Sequence, residues 1–234
     1  MNIAIITIII IAINVIVSMK GFNDPGFFNR YKFQTGAVLN GKQYDRILTS
    51  GFLHVDFTHL IFNMLTLYFF ANVVIQYFSA PSYFVYGTAG VVNMTMGYIM
   101  FAVVFLLSIL GGNFLALFFQ RDNPYYSAVG ASGGVSGVLF AAIAAYPDMT
   151  LGLMFIIPMP GWVFGILYLG YSVYGMQKQL GNIGHEAHLG GAIVGLIAPI
   201  IFYPEIFTVN KLYILGMLIP IAVLLVLAIK SSRK

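Results

Sequence analysis

The sequence predicts an all-α membrane protein, a polytopic helical bundle, on three observations. Of its 234 residues 60% are hydrophobic and only 8% charged, against roughly 25% charged in an ordinary soluble domain, and the mean hydropathy is +0.91. Nothing charged lies between Asp56 and Arg121, and further uncharged runs cover 3–19, 123–147, 149–177, 187–204 and 212–229. Because a spanning helix needs about 20 apolar residues, seven crossings accommodate these runs most simply. The absence of cysteine excludes disulfides, thiolate metal sites and a cysteine nucleophile. A net charge of +4 carried by the loops suits lipid headgroups better than nucleic acid, and no nucleic-acid partner is expected.

The first helix, 3–19, is rich in isoleucine and has no side chain fit for chemistry. Without a basic n-region or a small-residue cleavage site before Lys20, it is expected to be a retained span rather than a signal peptide. The connection 20–56 mixes Lys20, Arg30, Lys32, Lys42 and Arg46 with Phe22, Phe27, Phe28, Tyr31, Phe33 and Tyr44. A connection this long is ordinarily structured or functional, and its aromatics suit a seat at the membrane interface. Asp56, with Thr58 as competitor, is the candidate N-cap of the second helix, which runs from about 57 to 78 with His59 and Asn63 on one face at i,i+4. Ala80-Pro81-Ser82 breaks the chain, 83–91 reads as an interfacial piece and 93–119 as the third helix. The fourth helix is expected to begin near 127–130 and to end before Pro147-Asp148. The fifth is expected over 150–174, kinked by Pro158 and Pro160. A polar connection, 177–184, leads to the sixth, 186–203, and the seventh, 211–229, ends in a basic tail, 230–234. With no internal repeat or low-complexity linker, one domain over 1–234 is the economical count.

A chain that crosses back and forth returns to the same membrane surface at every second helix. Helices two, four and six therefore start on one side, which gathers His59 and Asn63, Ser132, and His185 and His188 at one end of the bundle. Ser132 borders a strip of Gly133, Ser136 and Gly137 on its helix, and His188 shares a face with Gly191, Ala192 and Gly195. Such small-xxx-small faces let helices in lipid approach closely. Two of them, each headed by half of a Ser–His pair, could bring Oγ and imidazole within about 2.6–3.2 Å. Intramembrane polar residues are costly, so the pairing favours function.

Gly130-x-Ser132-x-Gly134 matches the nucleophile-elbow pattern of α/β hydrolases only formally, since no strand precedes it. His185-Glu186-Ala187-His188 is one residue short of the HExxH zinc motif. No carboxylate or thiolate completes a zinc site around the four histidines, and no metal is expected. Glu186 reads as a first-turn acid favoured by the helix dipole. No acid inside a span is available to orient His188, so a dyad rather than a triad is expected.

Four stretches together resemble the rhomboid family of intramembrane serine proteases. They are Arg46 followed by Leu48-Thr49-Ser50-Gly51-Phe52-Leu53-His54, then His59-x-x-x-Asn63, then Gly130-Ala131-Ser132-Gly133, then Ala187-His188-Leu189-Gly190-Gly191 with Gly195. The resemblance implies a six-helix core, about 1–204, with a seventh transmembrane helix, about 211–229, appended. It implies a serine endopeptidase with Ser132 as nucleophile and His188 as general base and acid. His59, Asn63 and the Ser132 backbone N–H would form the oxyanion hole, with Gly130 and Gly133 at the nucleophile turn. Gly137, Gly191 and Gly195 would serve helix packing, and Arg46 and His54 would be structural. Substrates would be single-pass or polytopic membrane proteins met in the lipid bilayer, with no cofactor. The alternative is a catalytically inactive rhomboid-like protein that binds transmembrane helices.

Bacterial members imply a multi-pass protein of the cytoplasmic (inner) membrane with its site facing outward. Every Lys and Arg except Lys211 falls at the active-site end, however, and the positive-inside rule would turn that end to the cytoplasm. Two positions depart from the family pattern. Asp45-Arg46 stands where Trp-Arg is frequent, and Ser136 stands where many members place an aromatic on the catalytic histidine, leaving hydrogen bonding or Phe140 to hold that ring.

Overall fold

The structure, a computed structural model, describes residues 4–88, 90–153, 156–178, 180 and 183–232. Arg233 and Lys234 of the basic tail, the Lys230 side chain, and Gln179, Gly181 and Asn182 of the connection before the sixth helix lie outside the described residues. In chain order come α1 (Ile5–Asn23), α2 (Pro25–Tyr31), β1 (Phe33–Gln34), α3 (Thr35–Leu39), α4 (Arg46–Thr49) and a 3-10 turn (Ser50–Phe52). Then follow α5 (Phe57–Ser79), α6 (Pro81–Tyr86), α7 (Met94–Gln120), β2 (Ser127–Ala128) and α8 (Ser132–Ala145). The chain closes with β3 (Thr150–Leu153), β4 (Ile157–Pro160), α9 (Gly161–Lys178), α10 (His185–Phe202) and α11 (Glu205–Ser232). Among the described residues five helices, α1, α5, α7, α10 and the first part of α11, are long and apolar enough to cross a membrane, and α8 is apolar but shorter, at 14 residues. The polytopic, all-α architecture read from the sequence is the one observed.

Several boundaries differ from expectation, each for a local reason. The fifth helix does not occupy 150–160. Its described residues include β3 paired antiparallel with β4, with Pro158 opposite Gly152 and Pro160 opposite Thr150. Two prolines two residues apart would each remove an N–H from a helix and clash with the preceding turn, so helix begins only at Gly161. The fourth helix starts at Ser132, not near 127–130, because Gly130 has φ +134 and because β2 pairs with β1, Phe33 opposite Ala128 and Gln34 opposite Ser127. The first helix continues to Asn23, its last turn carrying Lys20, which bridges Asp24 at 2.8 Å. The seventh begins early, at Glu205, and bends at Asn210, whose Nδ2 donates to the Ala144 carbonyl at 2.8 Å. Asp56 caps α5 as expected, accepting the His59 N–H at 2.7 Å.

The long first connection is structured. Arg46, only 6% exposed, donates from Nε to Gln43 Oε1 (2.6 Å) and from Nη1 to the carbonyls of Asn29 (2.9 Å) and Lys32 (2.7 Å). Its neighbour Asp45 pairs with Arg30 at 2.8 Å. Asp45-Arg46 thus anchors the loop through the guanidinium without a tryptophan.

At the centre of the bundle α8 is buried at every position from Gly133 to Ala145. One side meets a core of Leu67, Val74, Phe101, Phe105 and Val138 from α5, α7 and α8, and the other meets Leu169, Val173, Leu196 and Met217 from α9, α10 and α11. Against α10 the contact is backbone on backbone. A Cβ on Gly191 would overlap the Gly133 carbonyl oxygen, and one on Gly195 the Gly137 carbonyl oxygen. About 100° round α10, a Cβ on Gly190 would lie 2.6 Å from the Gly111 carbonyl oxygen of α7, so the small-residue seam continues beyond the two helices in which the sequence revealed it. Gly191→Ala is expected to lower unfolding stability in detergent by about 1–3 kcal/mol through overpacking. Gly170→Ala, where an added Cβ meets nothing within 4 Å, should stay within about 0.5 kcal/mol of wild type.

Candidate active site

The site is built on the turn that starts α8. Ser132 is the first residue of that helix, so its N–H has no intrahelical acceptor and lies at the positive end of the helix dipole. Gly130 makes the turn. Its φ of +134 disfavours any side chain, and a Cβ there would stand 2.7 Å from His59 Cε1, 2.9 Å from His59 Nε2 and 3.5 Å from Ser132 Oγ. The His59 ring therefore lies directly against the turn, beside the candidate nucleophile. The turn is held from the first connection by two backbone bonds: Gly130 N–H donates to the Ser50 carbonyl at 3.0 Å, and Ala131 N–H to His54 Nε2 at 3.4 Å. With Nε2 accepting, the His54 proton sits on Nδ1 and is donated to Ser18 Oγ at 2.8 Å, and the Ser18 hydroxyl in turn donates to the Phe52 carbonyl at 3.1 Å. A directed chain of hydrogen bonds thus runs from the turn into α1. His54 is fully buried, and burial, followed by the nearby His59, pushes its pKa down to about 3, keeping the ring neutral as this chain requires.

One cavity of about 440 Å³ is lined by His59 and Asn63 from α5, Ser132 and Ser136 from α8, Phe164 and Tyr168 from α9, and His188 from α10. Of the polar residues that alternate crossings were expected to gather, His59, Asn63, Ser132 and His188 line this cavity together, and His185 does not. His54 lies behind this group, its ring 5.0 Å from that of His59. Asn63 donates one of its two amide protons back to the His59 carbonyl at 2.9 Å, leaving the other. Among the described residues no hydrogen bond joins Ser132 Oγ to the His188 ring. Catalytic contacts of this kind often tighten only when substrate is present. What touches the imidazole is Tyr168, stacked on it with centroids 6.2 Å apart and planes at 27°. Phe140 packs on Tyr168, at 5.5 Å. Sequence reasoning passed over Tyr168 because no spacing within α9 distinguishes it from Tyr171 or Tyr174; only the neighbouring helices do.

The Rhomboid domain profile matches residues 41–205, well over half of the chain. The chain belongs to the rhomboid family. Its similarity to individual proteins is distant. It is 29% identical over 184 residues to RHOMBOID-like protein 12, mitochondrial, of Arabidopsis thaliana, covering 79% of this chain and 54% of that one. To Rhomboid protein 1, mitochondrial, of Saccharomyces cerevisiae it is 26% identical over 157 residues, or 64% of this chain and 40% of that one. To Rhomboid-like protein 16, chloroplastic, of Arabidopsis thaliana it is 29% identical over 180 residues, 73% of this chain and 51% of that one. The chain thus spans about half the length of these curated relatives.

In this rhomboid a second cavity, of about 550 Å³, shares Val55, His59, Ala128, Val129, Ile183 and Gly184 with the first and continues among Lys32, Gln120, Asn123 and Glu186. His185 lines this second cavity, apart from Ser132, with Nε2 at 3.1 Å from the Leu180 carbonyl. Glu186 stands in the first turn of α10 as expected, but it is buried. Its carboxylate accepts from Gln120 Nε2 at 2.7 Å and from the Tyr126 hydroxyl at 3.4 Å, tying the start of α10 to the end of α7. Burial and then the Glu186 charge hold the Tyr126 phenol above its ordinary pKa.

The His54 chain generates a test. Folded His54 titrates near about 3 and unfolded histidine near 6.5, so between those values the unfolded chain binds more protons. The stability given by the neutral ring is complete above about pH 6.5 and is lost progressively as the pH falls toward about 3. His54→Gln should flatten this slope in pH-dependent unfolding in detergent. His54→Ala, which orphans the Ala131 N–H, should cost about 1–3 kcal/mol at pH 7.

Proposed function

We propose that this rhomboid-family chain is an intramembrane serine endopeptidase that uses a Ser132–His188 dyad. The observation that carries the reading is the single cavity that receives Ser132, His188, His59 and Asn63 from three different helices. A helix-binding surface needs none of the four. His188 takes the Ser132 proton as Oγ attacks a peptide carbonyl, then delivers it to the departing amine, leaving an acyl-enzyme ester. A water deprotonated by His188 attacks that ester and releases Ser132. The oxyanion accepts from Asn63, His59 and the Ser132 N–H. The adjoining polar cavity, with Gln120, Asn123 and Glu186 on its wall, is the proposed source of that water.

The proposed substrates are single-pass or polytopic membrane proteins. In lipid a helix satisfies its own backbone, so a scissile carbonyl is reached only where the substrate helix unwinds, near Gly or Ala close to the interface. The cavity wall is shared by Phe62 and Thr66 of α5 and Phe164 of α9, the pair of helices between which such a segment would approach laterally. The reading treats 1–234 as one domain, a six-helix core to about 204 with α11 appended. The relatives' names place those proteins in mitochondria and chloroplasts and lend no support to a bacterial cytoplasmic membrane. The reading is confined to a multi-pass membrane location.

Fluorophosphonate labelling of the purified protein in detergent tests the dyad: wild type should label, and Ser132→Ala and His188→Ala should both fall to background. Unlabelled wild type, beside a rhomboid control that labels, would move the non-catalytic helix binder to first place. Asn63→Ala and His59→Ala should each lower kcat by about 10²–10³ with little change in KM, as for loss of one oxyanion donor. Transmembrane substrates with Gly or Ala near the interface should be cut far faster than Leu-rich ones, and equal rates would refute the unwinding requirement.

A further inference from the structure

We propose that Tyr168, anchored by Ser136, is a positioning residue that fixes the His188 ring relative to Ser132; the proposal rests on the protease reading above. The Ser136 hydroxyl has a single proton. It donates that proton to the Ser132 carbonyl one turn back, at 2.7 Å, so toward Tyr168, at 2.5 Å, it can only accept. The directed chain is therefore Tyr168 O–H to Ser136 Oγ, and Ser136 O–H to the carbonyl of the nucleophile residue itself. At its other end the Tyr168 ring lies on His188 with centroids 6.2 Å apart and planes at 27°, within the range of offset stacking. Phe140, tilted at 5.5 Å, and Phe164, stacked at 6.0 Å, also pack against the phenol.

His188 depends on this contact. Among the described residues its ring makes no hydrogen bond, and its one other aromatic neighbour is His185, edge-on at 6.5 Å. The chain thus ties residue 132 to residue 188 through a third helix, so that the separation of nucleophile and base is set by two hydroxyls and one ring. Ser136 serves to place an aromatic belonging to α9.

The test separates positioning from simple attachment of α9 to α8. Tyr168→Phe keeps the ring and breaks the bond; Ser136→Ala breaks the same bond from the other side. Each should slow fluorophosphonate labelling and kcat by about 3- to 10-fold, the scale of one hydrogen bond, with KM unchanged and with the protein still folded at the assay temperature. Because the Tyr168–Ser136 bond is removed in both, and Ser136→Ala also frees the Ser132 carbonyl, the double variant should be no slower than Ser136→Ala alone. Tyr168→Leu removes the ring and should slow labelling further. Wild-type rates in Tyr168→Phe and Ser136→Ala, losses that multiply in the double variant, or losses accounted for by the fraction unfolded at the assay temperature would each overturn the proposal. An unlabelled wild type sinks the protease reading itself, an outcome distinct from labelled wild type with indifferent variants.

Discussion

The structure depends on the contact of α8 with α10, where backbones meet because Gly133, Gly137, Gly191 and Gly195 present no side chain. In lipid, helices gain nothing by hiding apolar surface from one another, so close van der Waals approach is what holds them. The same approach sets the chemistry. Ser132 is adjacent to Gly133, and His188 lies one turn before Gly191, so the glycine register fixes how closely the starts of the two helices approach. About 100° round α10, Gly190 meets Gly111 of α7, and α10 packs on two neighbours rather than leaning on one partner.

Around this rigid pair the polar groups are arranged with little redundancy. Ser18, His54 and the Phe52 carbonyl support the turn before Ser132 from α1 and the first connection, while Ser136 and Tyr168 support the histidine side. Both chains have a fixed direction, because each histidine nitrogen or hydroxyl has one role left once its neighbour is assigned. Buried hydrogen bonds of this kind specify geometry as much as they stabilise, since an orphaned partner would bear the full cost of desolvation. Arg46 does the same for the loop, where one guanidinium satisfies two backbone carbonyls and the Gln43 side chain.

Much of this could be read in the chain. The uncharged runs marked the helices, Asp56 marked the start of α5, and alternate crossing put His59, Asn63, Ser132 and His188 at one end. The errors fell where local signals compete. Pro158 and Pro160 were compatible with a kinked span or with its absence, and pairing between β3 and β4 decided for the strands. The start of α8 was ambiguous because a glycine tolerates both helix and turn, and the bonds from Ser50 and His54 selected the turn.

The sequence by itself determined the membrane architecture, the glycine faces and the residue types of the candidate site, because hydropathy, small-residue spacing and crossing parity are properties of the chain taken in order. Only the tertiary structure decided what holds His188. Ser136 and Tyr168 are 32 residues apart on different helices, and nothing in either segment's periodicity links them. Their hydroxyls meet because the bundle brings α8 and α9 side by side, and the tyrosine ring falls on the imidazole only once α10 has been seated by its glycines.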